Sequence, residues 1–93
     1  MSPKIEVYGI PEELYPCYSC VNALRFLEYK KLPYTFIPVL VKADNSLGFD
    51  YDRTAIKELM DRMRSTSSAI VYPQVFVDGK HVGSFKAMKE YFS

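Results

Sequence analysis

The sequence predicts an α/β domain with the element order βαβαββα and a mixed sheet. Three observations carry that prediction. Short runs of β-formers alternate with longer segments whose apolar residues recur at helical spacing. An Asp78-Gly79 pair separates two strand-like runs near the C-terminus, which signals an antiparallel hairpin. The first strand–helix–strand unit requires parallel, right-handed strand pairing, so the sheet combines both orientations.

Each element follows in order. Ile5-Glu6-Val7-Tyr8 opens with a β-branched residue and alternates, forming a strand that Gly9-Ile10-Pro11 breaks. A helix is predicted over residues 17–31, with Cys20, Val21, Leu24 and Leu27 on one face. Arg25, Glu28 and Lys30 are expected to face water, and Lys30 and Lys31 suit the negative end of the helix dipole. Leu32-Pro33 stops the helix, since the residue before proline disfavours α geometry. Residues 34–41 read as one strand, with Pro38 favouring an edge position.

Residues 42–51 carry Asp44, Asn45, Ser46, Gly48 and Asp50 and read as a loop. Asp52 or Thr54 can cap the next helix, whose stripe is Ile56, Leu59, Met60 and Met63, taken as core filling. Ser65-Thr66-Ser67-Ser68 ends it. Gln74-Val75-Phe76-Val77 is the third strand and residues 80–83 the fourth. Ser84 can cap a last helix over residues 85–92.

At 93 residues the chain is one domain. A formal charge of +1, with scattered basic residues, argues against nucleic acid as the main partner. No apolar stretch reaches the ~18–20 residues of a membrane helix, and Met1-Ser2-Pro3-Lys4-Ile5-Glu6 has no signal-peptide core. A cytoplasmic protein is therefore expected, in a compartment that keeps thiols reduced. Nothing calls for an obligate dimer, and a monomer is expected.

The two cysteines fall within four residues, Cys17-Tyr18-Ser19-Cys20. A disulfide closing so short a loop constrains the unfolded chain little, so the pair reads as chemistry, not scaffolding. The thiolate is the nucleophile, and a free cysteine with a pKa of about 8.5 is mostly protonated near neutrality. A helix N-terminus presents unpaired N–H groups and about half a positive charge, which favours the thiolate of Cys17. Cys20 lies one turn on, on the same side, and can attack a mixed disulfide held by Cys17. It also begins the apolar stripe, so it is expected to be the more buried. Half a zinc site has the same Cys-x-x-Cys spacing, but zinc needs four ligands and only His81 offers itself as another. Two inert cysteines are the remaining alternative. His81 reads as a surface or edge residue. Tyr15 and Tyr18 flank the motif and are expected to touch a partner, whereas strand packing explains Tyr8 as well as substrate contact does. Tyr72-Pro73 precedes a strand, and an X–Pro bond there is either cis or trans.

Taken together, the chain resembles the glutaredoxin branch of the thioredoxin fold, and within it the small glutaredoxins of T-even-type bacteriophages. The resemblance spans nearly the whole chain. It rests on Val7-Tyr8-Gly9, Cys17-Tyr18-Ser19-Cys20, Tyr72-Pro73-Gln74-Val75-Phe76, Asp78-Gly79, His81-Val82-Gly83 and Lys89-Glu90-Tyr91-Phe92. It implies a four-stranded mixed sheet flanked by helices, and a cis peptide at Tyr72-Pro73 facing the cysteines. It implies a dithiol oxidoreductase that uses Cys17 and Cys20, with Tyr15, Tyr18, Tyr72, Pro73, Gly83, Ser84 and Phe85 meeting substrate. The Tyr72 backbone would pair with an extended disulfide substrate.

The implied partners are a disulfide-bearing protein, ribonucleotide reductase above all, with glutathione or a thioredoxin reductase recharging the pair. No bound cofactor or metal is implied for that activity. If the chain is phage-encoded, the host cytoplasm is its place. A second function within the family is an iron–sulfur cluster held between subunits by thiolates and glutathione. The sequence departs from the family pattern in three places: Tyr18-Ser19 replaces proline-tyrosine, Tyr15-Pro16 stands where a basic residue is frequent, and Gly83-Ser84-Phe85-Lys86 replaces glycine-glycine followed by aspartate. Lys86 would repel the glutathione amino group that the aspartate meets.

Overall fold

The alternation in the first strand determines how the molecule is layered. Ile5 and Val7 point to one face of β1 (Ile5–Gly9) and Tyr8 to the other, because successive strand residues face opposite ways. Both faces are covered. In a computed structural model that describes residues 3–67 and 69–93, Ile5, Val7 and Tyr8 are all buried.

α1 (Tyr18–Tyr29) leads from β1 to β2 (Tyr34–Pro38), which pairs with β1 in parallel, Ile5 opposite Tyr34 and Gly9 opposite Pro38. β2 is an edge strand, so Pro38 sits where a missing ladder donor costs least. The chain then departs from expectation. The strand predicted over residues 34–41 ends at Pro38, and the chain leaves the main sheet through Val39, whose N–H donates to the Gly9 carbonyl at 3.0 Å. Leu40–Lys42 forms β3, which pairs antiparallel with β4 (Phe49–Tyr51) inside the segment read as a loop. Asn45 builds the turn between them. Its side-chain oxygen accepts from the N–H groups of Leu47 and Gly48, and its amide donates to the Phe49 carbonyl.

Asp52, not Thr54, caps α2 (Arg53–Met63), accepting from Ala55 N–H at 3.0 Å. The helix ends at Arg64 in the left-handed region. Of the serine–threonine run taken to end it, Ser65, Thr66 and Ser67 follow that cap, and Ser68 lies outside the described residues. β5 (Gln74–Val77) pairs antiparallel with β1 and with β6 (Lys80–Gly83). Asp78 and Gly79 both take positive φ in the connecting turn, as a tight hairpin demands. Ser84 caps α3 (Phe85–Tyr91).

The main sheet runs β2-β1-β5-β6, four strands of mixed orientation. On one face Ala23 and Leu27 of α1 and Met88 of α3 close over Ile5, Val7, Val75 and Val77. On the other, Leu59 of α2, with Val39 and Leu40, packs on Tyr8 and Phe76. Each such buried aliphatic side chain stabilises by about 1.5–3 kcal/mol. The second face also carries charge: Arg62 bonds both Glu6 carboxylate oxygens (2.9 and 3.1 Å) and donates to the Tyr8 hydroxyl, which donates to Glu58. The Arg62 guanidinium lies 4.0 Å from the Phe76 ring centroid. Burial gives Tyr8 a pKa above its ordinary value, while the Arg62 hydrogen bonds pull Glu6 below the usual carboxylate value. Met60 is half-buried and lines a groove, so of the two stripe methionines only Met63 packs against this core.

Candidate active site

The cysteines stand where the end of β1 meets the start of α1. Cys17 is the N-cap of α1, with extended backbone and a half-buried side chain. Its sulfur accepts the Cys20 N–H at 3.3 Å, taking the capping role that serine or aspartate usually plays. No acidic residue lies in the first turn of α1, so the positive end of the helix carries no carboxylate of its own. Cys20, one turn on, is 1% exposed. Its sulfur accepts the Ile10 N–H at 3.5 Å. The two are joined as a disulfide, with Cα atoms 5.3 Å apart.

Gly9 lies against both Phe36 and Cys20. A Cβ built on Gly9 would lie 2.9 Å from Phe36 Cε1 and 3.4 Å from Cys20 Sγ. It is the Phe36 ring that needs glycine here, since a Cβ would overlap it while only touching the sulfur. Tyr8 pairs with Gln74, so the next residue toward the cysteines on β5's side is Pro73, at the same end of the sheet as Gly9. The Tyr72-Pro73 bond is cis and Pro73 is buried. Burial raises the Tyr72 pKa, and nearby Tyr51 adds to the effect. The Gln74 amide donates to the Val71 carbonyl at 2.7 Å, tying the segment before the proline to the sheet, and its oxygen meets exposed His81 Nε2.

The remaining residues singled out in the sequence divide. Tyr15 is half-exposed and packs edge-on against Phe49, centroids 6.0 Å apart. Tyr18 is 82% exposed beside Cys17. Gly83 pairs with Val75, which puts Gly83 and Ser84 at the same end of the sheet as Pro73. Phe85 packs edge-on against Phe26 of α1, so its ring is engaged in helix–helix packing. Sequence reasoning missed Gly9, the Ile10 N–H, Phe49 and Tyr51. The first two act through backbone, which no side-chain pattern reports, and the last two belong to the unforeseen hairpin. A Val-Tyr-Gly end to the first strand was the signal available for Gly9.

Known proteins give this geometry its context. The family model described as Glutaredoxin matches residues 5–82. A glutaredoxin of Enterobacteria phage T4 is 36% identical over 89 residues, covering 94% of this chain and 97% of its own. An uncharacterised 11.8 kDa protein of the same phage, from the Gp55–nrdG intergenic region, is 38% identical over 87 residues, covering 94% of this chain and 82% of its own. Among solved structures, glutaredoxin 1 of Francisella tularensis, complexed with cacodylate, superposes with a TM-score of 0.65 at 19% identity, over 98% of this chain and 93% of its own. A buckwheat glutaredoxin–glutathione complex gives 0.63 at 18%, over 97% of this chain and 68% of its own. With Cys17 capping a helix and bonded to Cys20, and a mixed four-stranded sheet of the thioredoxin-like type, the chain belongs to the glutaredoxin family of thiol–disulfide oxidoreductases.

Proposed function

We propose that Cys17 is the attacking thiol and Cys20 the resolving thiol of a dithiol reductase that acts on protein disulfides. One observation carries the assignment: the Cys17 sulfur occupies the helix cap and accepts a helix N–H, while Cys20 is buried behind it. A sulfur at a helix N-terminus is favoured as thiolate. The Cys17 thiolate attacks one sulfur of the substrate disulfide. That bond breaks, a mixed disulfide forms, and the other substrate sulfur leaves as a thiolate that takes up a proton. Cys20 gives up its proton and attacks the Cys17 sulfur. The second substrate thiolate leaves, and two electrons have passed from the Cys17/Cys20 pair to the substrate.

Tyr15, Tyr18, Tyr72 and Pro73 are the substrate contacts in this reading, with the Tyr72 backbone pairing to an extended chain. Gly83, Ser84 and Phe85 complete the contact at the start of α3. Ribonucleotide reductase is the protein substrate that the family resemblance implies. The reductant is glutathione, the ligand named in the buckwheat complex, or a thioredoxin reductase. Lys86, exposed on the first turn of α3, favours the second of these. Reduction of this kind belongs in the cytoplasm, where a thiol pool sustains it. Among the described residues no helix is long and apolar enough to cross a membrane.

The test uses two variants and a protein-disulfide reduction assay. Cys17→Ser abolishes turnover, and Cys20→Ser accumulates a covalent mixed disulfide with the substrate that a thiol reductant releases. Full activity of the Cys17 variant defeats the assignment.

A further inference from the structure

The β3–β4 hairpin lies outside the main sheet, yet it reaches the redox loop. Phe49 of β4 packs on Tyr15, two residues before Cys17, and Tyr51 lies near Tyr72. Together with α2 and residues 69–72 the hairpin walls an open groove of about 1080 Å³. Its lining includes Tyr15, Tyr72 and Ile10, whose N–H bonds the Cys20 sulfur, although neither cysteine lines it. At α2 it is lined by Arg53 and Lys57. Its other lining residues are apolar or aromatic, with no carboxylate among the described ones, while on their far side Arg53 and Lys57 border a second groove that Glu58 and Asp61 also line. Tyr51 and Val71 in its lining are more than half exposed.

The opposite flank of the redox loop has the reverse charge. A groove of about 460 Å³ there is lined by Ile10 and Cys20, with Glu12, Glu13 and Glu28 against a single Arg25. An approaching anionic chain is repelled by one flank and drawn to the other.

We infer that the hairpin groove seats an extended segment of the disulfide-bearing protein substrate, with apolar side chains beside its cysteine and acidic ones meeting Arg53 and Lys57. The inference rests on the dithiol reading above and names the chemistry of its substrate. An extended chain alternates its side chains, so apolar residues enter the groove at every second position while the backbone stays near Tyr72.

The experiment measures single-turnover oxidation of the pre-reduced protein at low salt. Two synthetic peptides each carry one cysteine in a mixed disulfide with 2-mercaptoethanol, flanked by leucines and followed by either two glutamates or two lysines. Bis(2-hydroxyethyl) disulfide serves as the small probe. Two partly exposed charge contacts give the acidic peptide an advantage of about three- to tenfold over the basic one. The advantage shrinks at about 1 M salt, where the Debye length is about 3 Å. The double variant Arg53→Glu/Lys57→Glu inverts the preference. Equal rates for the two peptides, or an unchanged preference in the double variant, overturn the inference. Reactivity toward the small disulfide with no charge preference sinks the groove alone; no reaction with any disulfide sinks the dithiol reading and the groove with it. Sedimentation supplies the last outcome: a dimer that the double variant dissociates shows a second copy in the groove and also overturns the inference.

Discussion

Replacing Gly9 with alanine pits two well-understood effects against each other at the redox centre. Gly9 is not at positive φ, so alanine fits the backbone, and the stiffer unfolded chain favours folding by about 0.4–1 kcal/mol. Against this, the new methyl lands 2.9 Å from Phe36 Cε1 and 3.4 Å from Cys20 Sγ. The first distance is shorter than real carbon contacts, and overpacking of this kind costs about 1–3 kcal/mol. Phe36 lies on edge strand β2 and is only half-buried, so its ring can give way in part. The balance is a net loss of about 1.5 kcal/mol, or about 6–12 °C in Tm for a domain of this size. Urea unfolding of the oxidised protein at pH 7 measures it. A G9A/F36L double variant provides the internal check, because shortening Phe36 removes the clash, and the two substitutions then couple favourably by at least about 0.5 kcal/mol. An alanine variant as stable as the parent, or a double variant with no coupling, refutes the packing argument.

Two further predictions concern the charged cluster between β1 and α2. Arg62→Met strips Glu6 of both hydrogen bonds and Tyr8 of one, and costs about 2–3 kcal/mol at pH 7 by thermal or urea melts, since Glu6 is left largely desolvated without its partner. Glu6 titrates below its ordinary value of 4.5 in the folded state, so its stabilisation is present above that value and is lost as pH falls through the lower folded pKa. The gap between parent and Arg62→Met is therefore widest near neutrality and closes as pH falls through the lowered folded pKa of Glu6; a constant gap across that range would show that the ion pair contributes nothing. Tyr8 titrates above its ordinary value of 10.0 through burial, so its contribution holds below pH 10 and falls as pH rises further. A Tyr8→Phe variant should show a shallower alkaline loss than the parent, measured by circular dichroism.

Much of this architecture is legible in the sequence because its signals are local. Helical spacing located α1 and α2, the Asp78-Gly79 pair located the β5–β6 hairpin, and Pro38 marked the edge strand. Cys17 and Cys20 divided into a capping and a buried sulfur, as the dipole and stripe arguments expected. The β3–β4 hairpin was not legible. β4 has three residues, of which Phe49 alone is even half-buried, too short a run for alternation to register. The polar residues that read as a loop are what build its turn, and it takes the tertiary partners Tyr15 and Tyr72 to show that the strand matters. The break at Val39 was hidden for a similar reason. Val39 and Leu40 continue an apolar run, and Val39 still donates to Gly9 of β1; only the Asp52 N–H on the Val39 carbonyl and the pairing of Leu40 with Tyr51 show that the chain has left the sheet.

The Ile10 N–H that holds the Cys20 sulfur has a consequence for how such a protein diversifies. A contact made by the main chain survives every substitution except proline, because the amide is present whatever side chain it carries. The Cys20 N–H on Cys17 has the same immunity. Residues around the pair, among them Tyr15, Tyr18 and Ser19, are thereby released to drift without loss of either main-chain contact to sulfur.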